Sequence, residues 1–158
     1  EKDIEESNQF INKNDLDKFI CVCPDASLDS RIWSIKNFDE LIKYINLKYP
    51  AYKVIIVGIT DRVDELIKMN PDSIALKKAN IRMLYHLFRR SSLVIALDTG
   101  TTPLAWAGRS KLINILLKIS IPFKNYFKPL DKNALVVCQK KSELSTEEVT
   151  NNLDKFLA

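Results

Sequence analysis

Apolar residues alternate along this chain between two rhythms. One is the short run: Phe19-Ile20-Cys21-Val22-Cys23, Val54-Ile55-Ile56-Val57-Gly58, Leu93-Val94-Ile95-Ala96-Leu97, Leu112 to Leu117 (interrupted by Asn114) and Ala134 to Cys138. Runs this short and rich in β-branched residues read as strands buried on both faces. The other is helical spacing. Phe38, Leu41, Ile42, Ile45 and Leu47 recur between Lys36 and Tyr49, with Asn37 as the expected cap and Pro50 as the stop. Val63, Leu66 and Ile67 line a helix over Asp61 to Met69, and Asn80 caps another whose stripe is Ile81, Leu84, Leu87 and Phe88. Ser145-Thr146-Glu147-Glu148 opens a last helix carrying Val149, Leu153, Phe156 and Leu157. Ser73 to Leu76 fits a short edge strand.

Strand and helix thus alternate five times, joined by connections too long for hairpins. The expectation is an α/β domain, a Rossmann-like three-layer unit with a mostly parallel sheet over residues 18–158. Residues 1–17 are polar apart from Ile4, Phe10, Ile11 and Leu16, and read as a linker or lead-in helix. The chain begins at Glu1 with no initiator Met, which reads as a fragment with something removed upstream. In parallel sheets ligands bind beyond the carboxyl ends of the strands. The loops at 24–33, 58–62 and 98–103 all follow strands, so one edge should gather them.

The stretch from Asp98 to Ala107 carries the most chemistry. Asp98 ends a buried strand, Gly100 permits a sharp turn, and Thr101 or Thr102 can cap a helix with Pro103 at its first position. That arrangement aims free N–H groups and the positive end of a helix dipole at one spot, which suits a phosphate. An ordinary capped turn reads equally well. Three glycines in 158 residues exclude a P-loop and a three-glycine dinucleotide fingerprint.

Composition narrows the partners. Hydrophobic residues make up 46% and charged ones 28%, a globular balance, and no apolar run approaches the roughly 20 residues that span a bilayer. The net charge of +4 is spread over scattered pairs such as Lys77-Lys78, Arg89-Arg90 and Lys140-Lys141. Without a basic block interleaved with aromatics, no nucleic-acid partner is expected, whereas weak peripheral association with an anionic membrane surface fits the charge. Cys21, Cys23 and Cys138 lack metal-ligand spacing and read as small buried hydrophobes in a reducing, cytoplasmic setting. His86 is the single histidine and falls off its helix's apolar stripe, so it reads as a surface residue. No carboxylate pair is spaced for a metal, and neither a metal nor another cofactor is expected. Trp33 fits a core position or a base-stacking platform equally, and Asp98 fits an Asx-type bond to the N–H groups that follow it.

The pattern Asp98-Thr99-Gly100-Thr101-Thr102-Pro103-Leu104-Ala105-Trp106-Ala107 resembles the donor-site motif of family 9 of the glycosyltransferases, the family of the ADP-heptose:lipopolysaccharide heptosyltransferases. Ser27-Leu28-Asp29-Ser30-Arg31-Ile32-Trp33 is similar to that family's Lys/Arg-x-Trp segment, and Val54 to Gly58 with its acidic helix start is a weaker match. From about Phe19 onward, the resemblance implies the C-terminal half of a two-domain GT-B enzyme, active in lipopolysaccharide or surface-glycan synthesis at the inner face of the cytoplasmic membrane. It implies that Thr99, Gly100, Thr101 and Thr102, with Asp98, hold the diphosphate of a nucleoside-diphosphate sugar. Arg31 would pair with that diphosphate and Ser27 would add a hydroxyl. Asp61, or a neighbour, would take the ribose. The catalytic base and the glycan or lipid-linked acceptor would belong to an absent N-terminal domain. The chain has Pro103 where the family has a His, and Gly108-Arg109-Ser110-Lys111 where it has Gly-Thr-Pro. A non-catalytic module binding a phosphorylated ligand or a protein partner is the rival expectation.

Overall fold

In the computed structural model, which describes residues 2–27, 31–117, 134–138 and 144–157 (134–138 through the backbone), six strands form one sheet in the order β3-β2-β1-β4-β5-β6. The elements run α1 (Lys2–Lys13), β1 (Phe19–Cys23), α2 (Ile35–Lys48), β2 (Lys53–Gly58), α3 (Asp61–Met69), β3 (Ile74–Lys77), α4 (Ile81–Arg90), β4 (Leu93–Leu97), α5 (Thr101–Ala107), β5 (Leu112–Leu116), β6 (Ala134–Cys138) and α6 (Thr146–Leu157). Every strand pairing is parallel, with β1 at the centre through Ile20↔Val54 on one side and Ile20↔Leu93 on the other. This is the doubly wound order, in which the chain reverses direction between β1 and β4.

Strand side chains alternate between two cores, as a period of two requires. Ile20, Val22, Val54, Ile56, Ile95 and Ile113 face α2, α3 and α6, where Phe38, Leu41, Ile42, Ile45, Leu66 and Leu153 are buried. Cys21, Ile55, Val94 and Ala96 face α1, α4 and α5, against Ile11, Met83, Leu87, Phe88 and Ala105. Each such Leu, Ile or Phe contributes about 1.5–3 kcal/mol on burial, so the helix stripes hold the layers together. The helix α1 belongs to the second core through Ile11, and it is tied to α4 by Asn80 Nδ2 donating to Glu6 (2.9 Å) and Arg90 Nη1 to Asn8 (2.7 Å).

Capping explains the helix starts. The Ser34 hydroxyl accepts from the Asn37 amide at 3.1 Å, so α2 begins earlier than the Asn37 cap expected. Asn80 caps α4 through Met83 N at 2.9 Å, as expected. Ser145 accepts from Glu148 N at 3.3 Å, and its hydroxyl reaches the Glu148 carboxylate at 3.5 Å, opening α6. Two apolar positions break their stripes: Leu47 is 86% exposed and Ile81 68% exposed. Leu47 lies on the far side of α2, and Ile81 sits at the first turn of α4 beyond the sheet edge. Trp33 resolves to the core, buried edge-on to Phe38 at 5.0 Å with Nε1 donating to Leu144 O at 2.8 Å. Cys21 and Cys23 are buried, and burial pushes the Cys23 thiol up to about 12. The side chain of Cys138 lies outside the described residues.

Candidate functional site

Because all strands are parallel, the segments after β1, β2, β3 and β4 meet at one edge, where they enclose a cleft of about 440 Å³. Its floor is Cys23, Val57 and Gly58 at the strand ends. One wall is Asp25, Ala26 and Ser27. The other is the Thr99-Gly100-Thr101 turn with Leu104, and Ala79, Ile81 and Leu84 close the far end. The exposed Ile81 thus has a place, since its apolar side chain lines the cleft instead of the core.

The wall after β1 is held by two clamps that spacing alone did not reveal. The Asp25 carboxylate accepts from the Ile59 amide at 2.6 Å, the Thr60 amide at 3.1 Å and the Thr60 hydroxyl. Gly58 makes room for it: a Cβ at that position would stand 2.5 Å from Asp25 Oδ2 and 2.8 Å from Val63 Cγ2. Arg62 donates through Nε to Pro24 O at 3.1 Å and through Nη2 to Trp33 O at 2.6 Å, fastening both ends of the loop. Partial burial lowers the pKa of this guanidinium, while Asp25 and Glu65 act against the shift.

The turn after β4 departs from its expected form. The helix α5 starts at Thr101 with Gly100 as its N-cap, no side chain caps it, and Pro103 is its third residue rather than its first. Gly100 has φ −58°, ordinary right-handed backbone, so the turn does not need a glycine for its conformation. What distinguishes the position is space: a Cβ there would meet nothing within 4 Å. The Thr99 and Thr101 hydroxyls lie 2.9 Å apart, and Thr101 N approaches Thr99 Oγ1 at 3.5 Å. No hydrogen bond to the Thr99 or Gly100 amide forms among the described residues, so these N–H groups are available to a ligand.

Asp98 makes no Asx-type bond among the described residues. Its carboxylate instead meets the Arg31 guanidinium at 3.4 Å, which brings the first loop onto the end of β4. The Asp98 side chain is 8% exposed and that of Arg31 is 32% exposed. Burial pushes the Asp98 carboxyl above the usual carboxylate range, and Arg31 opposes this. Thr102 faces inward and is fully buried: its hydroxyl meets Leu97 O and Asn114 Oδ1, each at 3.1 Å, and its amide donates to Thr99 O. Ser27 is exposed in the cleft wall. Asp61 is fully exposed at the start of α3, 3.9 Å from Lys77, and does not line the cleft; the adjacent Thr60 does. The structure therefore brings Ser27, Thr99, Gly100 and Thr101 together around open space, sets Arg31 on Asp98 beside them, and turns Thr102 into the interior. Asp25 is the residue that sequence reasoning missed, and its only sequence signal was a lone acid following a strand and proline. No group of three or more His, Cys, Asp or Glu able to hold a metal occurs among the described residues.

Comparison with known proteins supplies the family. No curated protein sequence matches the chain. Among solved structures, a glycosyl transferase family 9 protein from Veillonella parvula DSM 2008 superposes with a TM-score of 0.83 at 16% identity, covering 99% of this chain and 52% of its own. The Escherichia coli ADP-heptose LPS heptosyltransferase II gives a TM-score of 0.79 at 19% identity, covering 99% and 51%. E. coli heptosyltransferase WaaC, in its structure with ADP-2-deoxy-2-fluoro heptose, gives 0.74 at 16% identity, covering 94% and 47%. At these identities the likeness is one of fold, and the chain spans about half the length of the structures it matches. The sequence model of glycosyltransferase family 9 (heptosyltransferase), by contrast, matches residues 1–157. A parallel sheet reversing between β1 and β4, a cleft at that reversal and a family match over nearly every residue agree: the chain belongs to glycosyltransferase family 9.

Proposed function

We propose that this chain is the donor-binding half, the C-terminal half, of an inverting GT-B glycosyltransferase that takes a nucleoside-diphosphate sugar for lipopolysaccharide or related surface-glycan synthesis. The observation that carries the reading is the open space over Gly100, between amides without a partner among the described residues and the exposed Ser27 wall. A diphosphate there accepts hydrogen bonds from the Thr99 and Gly100 N–H groups and the Thr99, Thr101 and Ser27 hydroxyls. Arg31, held by Asp98, supplies the positive charge that offsets the charge building on the leaving diphosphate. The nucleoside lies along the apolar part of the cleft, over Val57, Ala79, Ile81 and Leu84, with the ribose beside Thr60, the neighbour of Asp61 that lines the cleft. In the reaction, a base outside this chain deprotonates an acceptor hydroxyl, which attacks the anomeric carbon as the nucleoside diphosphate departs. A glycan or lipid-linked acceptor for the whole enzyme fits work at the inner face of the cytoplasmic membrane.

Calorimetry with ADP, UDP, GDP and CMP tests this. ADP is the first choice, because the WaaC structures carry ADP or an ADP-sugar analogue. The expected result is preference for one diphosphate nucleotide. Arg31→Ala should weaken it by more than tenfold, the loss of one charge-assisted contact of about 1.5–3 kcal/mol, while the bare nucleoside is little affected. Unchanged diphosphate affinity in that variant refutes the assignment.

A further inference from the structure

The opposite edge of the sheet holds a second cleft, of about 410 Å³. It forms where the chain enters the strands: Ser91 and Ser92 lead into β4, Ser110 and Lys111 into β5, and Arg89 and Arg109 stand at the ends of the helices before them. Three cations therefore converge, and among the described residues no carboxylate lines the cleft. Among the described residues none of the three has an acidic partner within ion-pair distance. Arg89 rests over the Tyr85 ring at 5.7 Å, and Lys111 Nζ donates to a backbone carbonyl, Phe156 O, at 3.2 Å. Like charges gathered without a counter-charge repel one another, so the arrangement favours an anion between them.

Two further observations point into the same space. Ser110 is 5% exposed, and its hydroxyl has no hydrogen-bond partner among the described residues. A buried hydroxyl without a partner is unfavourable unless a ligand or water supplies one. The turn itself is also built around the cations. Arg109 has φ 55°, the left-handed conformation that usually selects glycine after a helix. The glycine is one residue earlier, at Gly108, with φ −75°, where a Cβ would approach Arg89 Cγ to 3.0 Å and Ser110 Oγ to 3.3 Å. Gly108 thus lets Arg89 and Ser110 close on the turn, and an arginine occupies the position where glycine would be more comfortable.

We propose that this cleft binds a phosphate group, either of a free phosphate ester or of a phospholipid headgroup. Guanidinium forks, one ammonium and the Ser92 and Ser110 hydroxyls (that of Ser91 donates to Phe88 O at 2.7 Å) are the donor set that tetrahedral phosphate oxygens accept. The site lies on the edge away from the nucleotide cleft, so a chain held here by a lipid surface presents its donor side away from that surface.

The test pairs calorimetry against glycerol 3-phosphate and inorganic phosphate, at low salt, with flotation on phosphatidylcholine vesicles with and without phosphatidic acid. Two variants accompany the wild type. Arg109→Gly removes a cation while relieving the left-handed backbone, so its Tm should match or exceed the wild type. Lys111→Gln removes another without touching the turn. The expected result is binding in one arm, weakened about tenfold in each variant and falling steeply with salt. Binding of the soluble probes assigns a free ester, and capture only by acidic vesicles assigns a headgroup. Failure of both arms, or variants that bind as well as wild type, overturns the proposal. ADP affinity should be unchanged in both variants, so this result stands apart from that of the donor site.

Discussion

Replacing Gly58 by alanine probes how the wall of the nucleotide cleft is held. The added methyl would stand 2.5 Å from Asp25 Oδ2 and 2.8 Å from Val63 Cγ2, so both must move. Val63 is fully buried, and overpacking of this kind costs about 1–3 kcal/mol. Asp25 can swing towards solvent, but it then exchanges the Ile59 and Thr60 amides for water, a further net loss of about 1 kcal/mol at this exposed position. With that loss added, the total is about 2–4 kcal/mol, or a Tm lower by roughly 4–16 °C for a domain of this size. Thermal unfolding followed by circular dichroism measures it. The sharper measurement is a double-mutant cycle. In an Asp25→Ala background the clash with the carboxylate is gone, so Gly58→Ala should cost about 1–2 kcal/mol less. Equal cost in both backgrounds, or an unchanged Tm, refutes the claim that Gly58 is there to admit Asp25.

Two other outcomes follow from the site's buried groups. Burial raises the folded pKa of Asp98, so the native state keeps its proton over a range where the unfolded chain has lost it; stability from this group falls as pH rises from about 4 through the higher folded value. Denaturant titrations between pH 4 and 7 should show the wild type losing stability relative to Asp98→Asn as pH rises, and the opposite slope contradicts the assignment. Thr102→Val keeps the shape but removes the hydroxyl that meets Leu97 O and the Asn114 side chain, leaving a polar partner unsatisfied in a fully buried spot and costing about 1–3 kcal/mol. Ser27→Ala, on the exposed wall, should change stability by less than about 0.5 kcal/mol; equal losses in the two would refute the inward placement of Thr102.

Much of the architecture was legible because most strands are short, largely apolar runs and most helices carry an apolar stripe. The same reasoning placed the loops after β1, β2 and β4 on one edge. It failed where a residue's role depends on a distant neighbour. Asp25 is held by amides more than thirty positions away, and nothing in its local sequence marks that. Thr102 resembles its neighbours Thr99 and Thr101 in sequence, but one step along a helix rotates a side chain by about 100°, enough to turn it from the cleft to Asn114. Ile81 fits the apolar stripe of α4, yet its turn projects past the sheet, so the stripe ends in the cleft. Pro103 gave the right helix with the wrong first residue, because the backbone bend begins at Gly100 before any hydroxyl cap is needed.

The central position of β1 has a consequence for biogenesis. Its register partners lie in β2 and in β4, the latter some seventy residues downstream at Leu93 to Ala96. A nascent chain emerging amino end first can zip β1 to β2 early, but the other flank of an entirely apolar strand stays bare until β4 has been synthesised. Such an open flank is the kind of surface on which stray strands add and aggregates start. Ribosome-stalled chains ending before residue 93 should therefore engage chaperones far more strongly than chains that extend past β5.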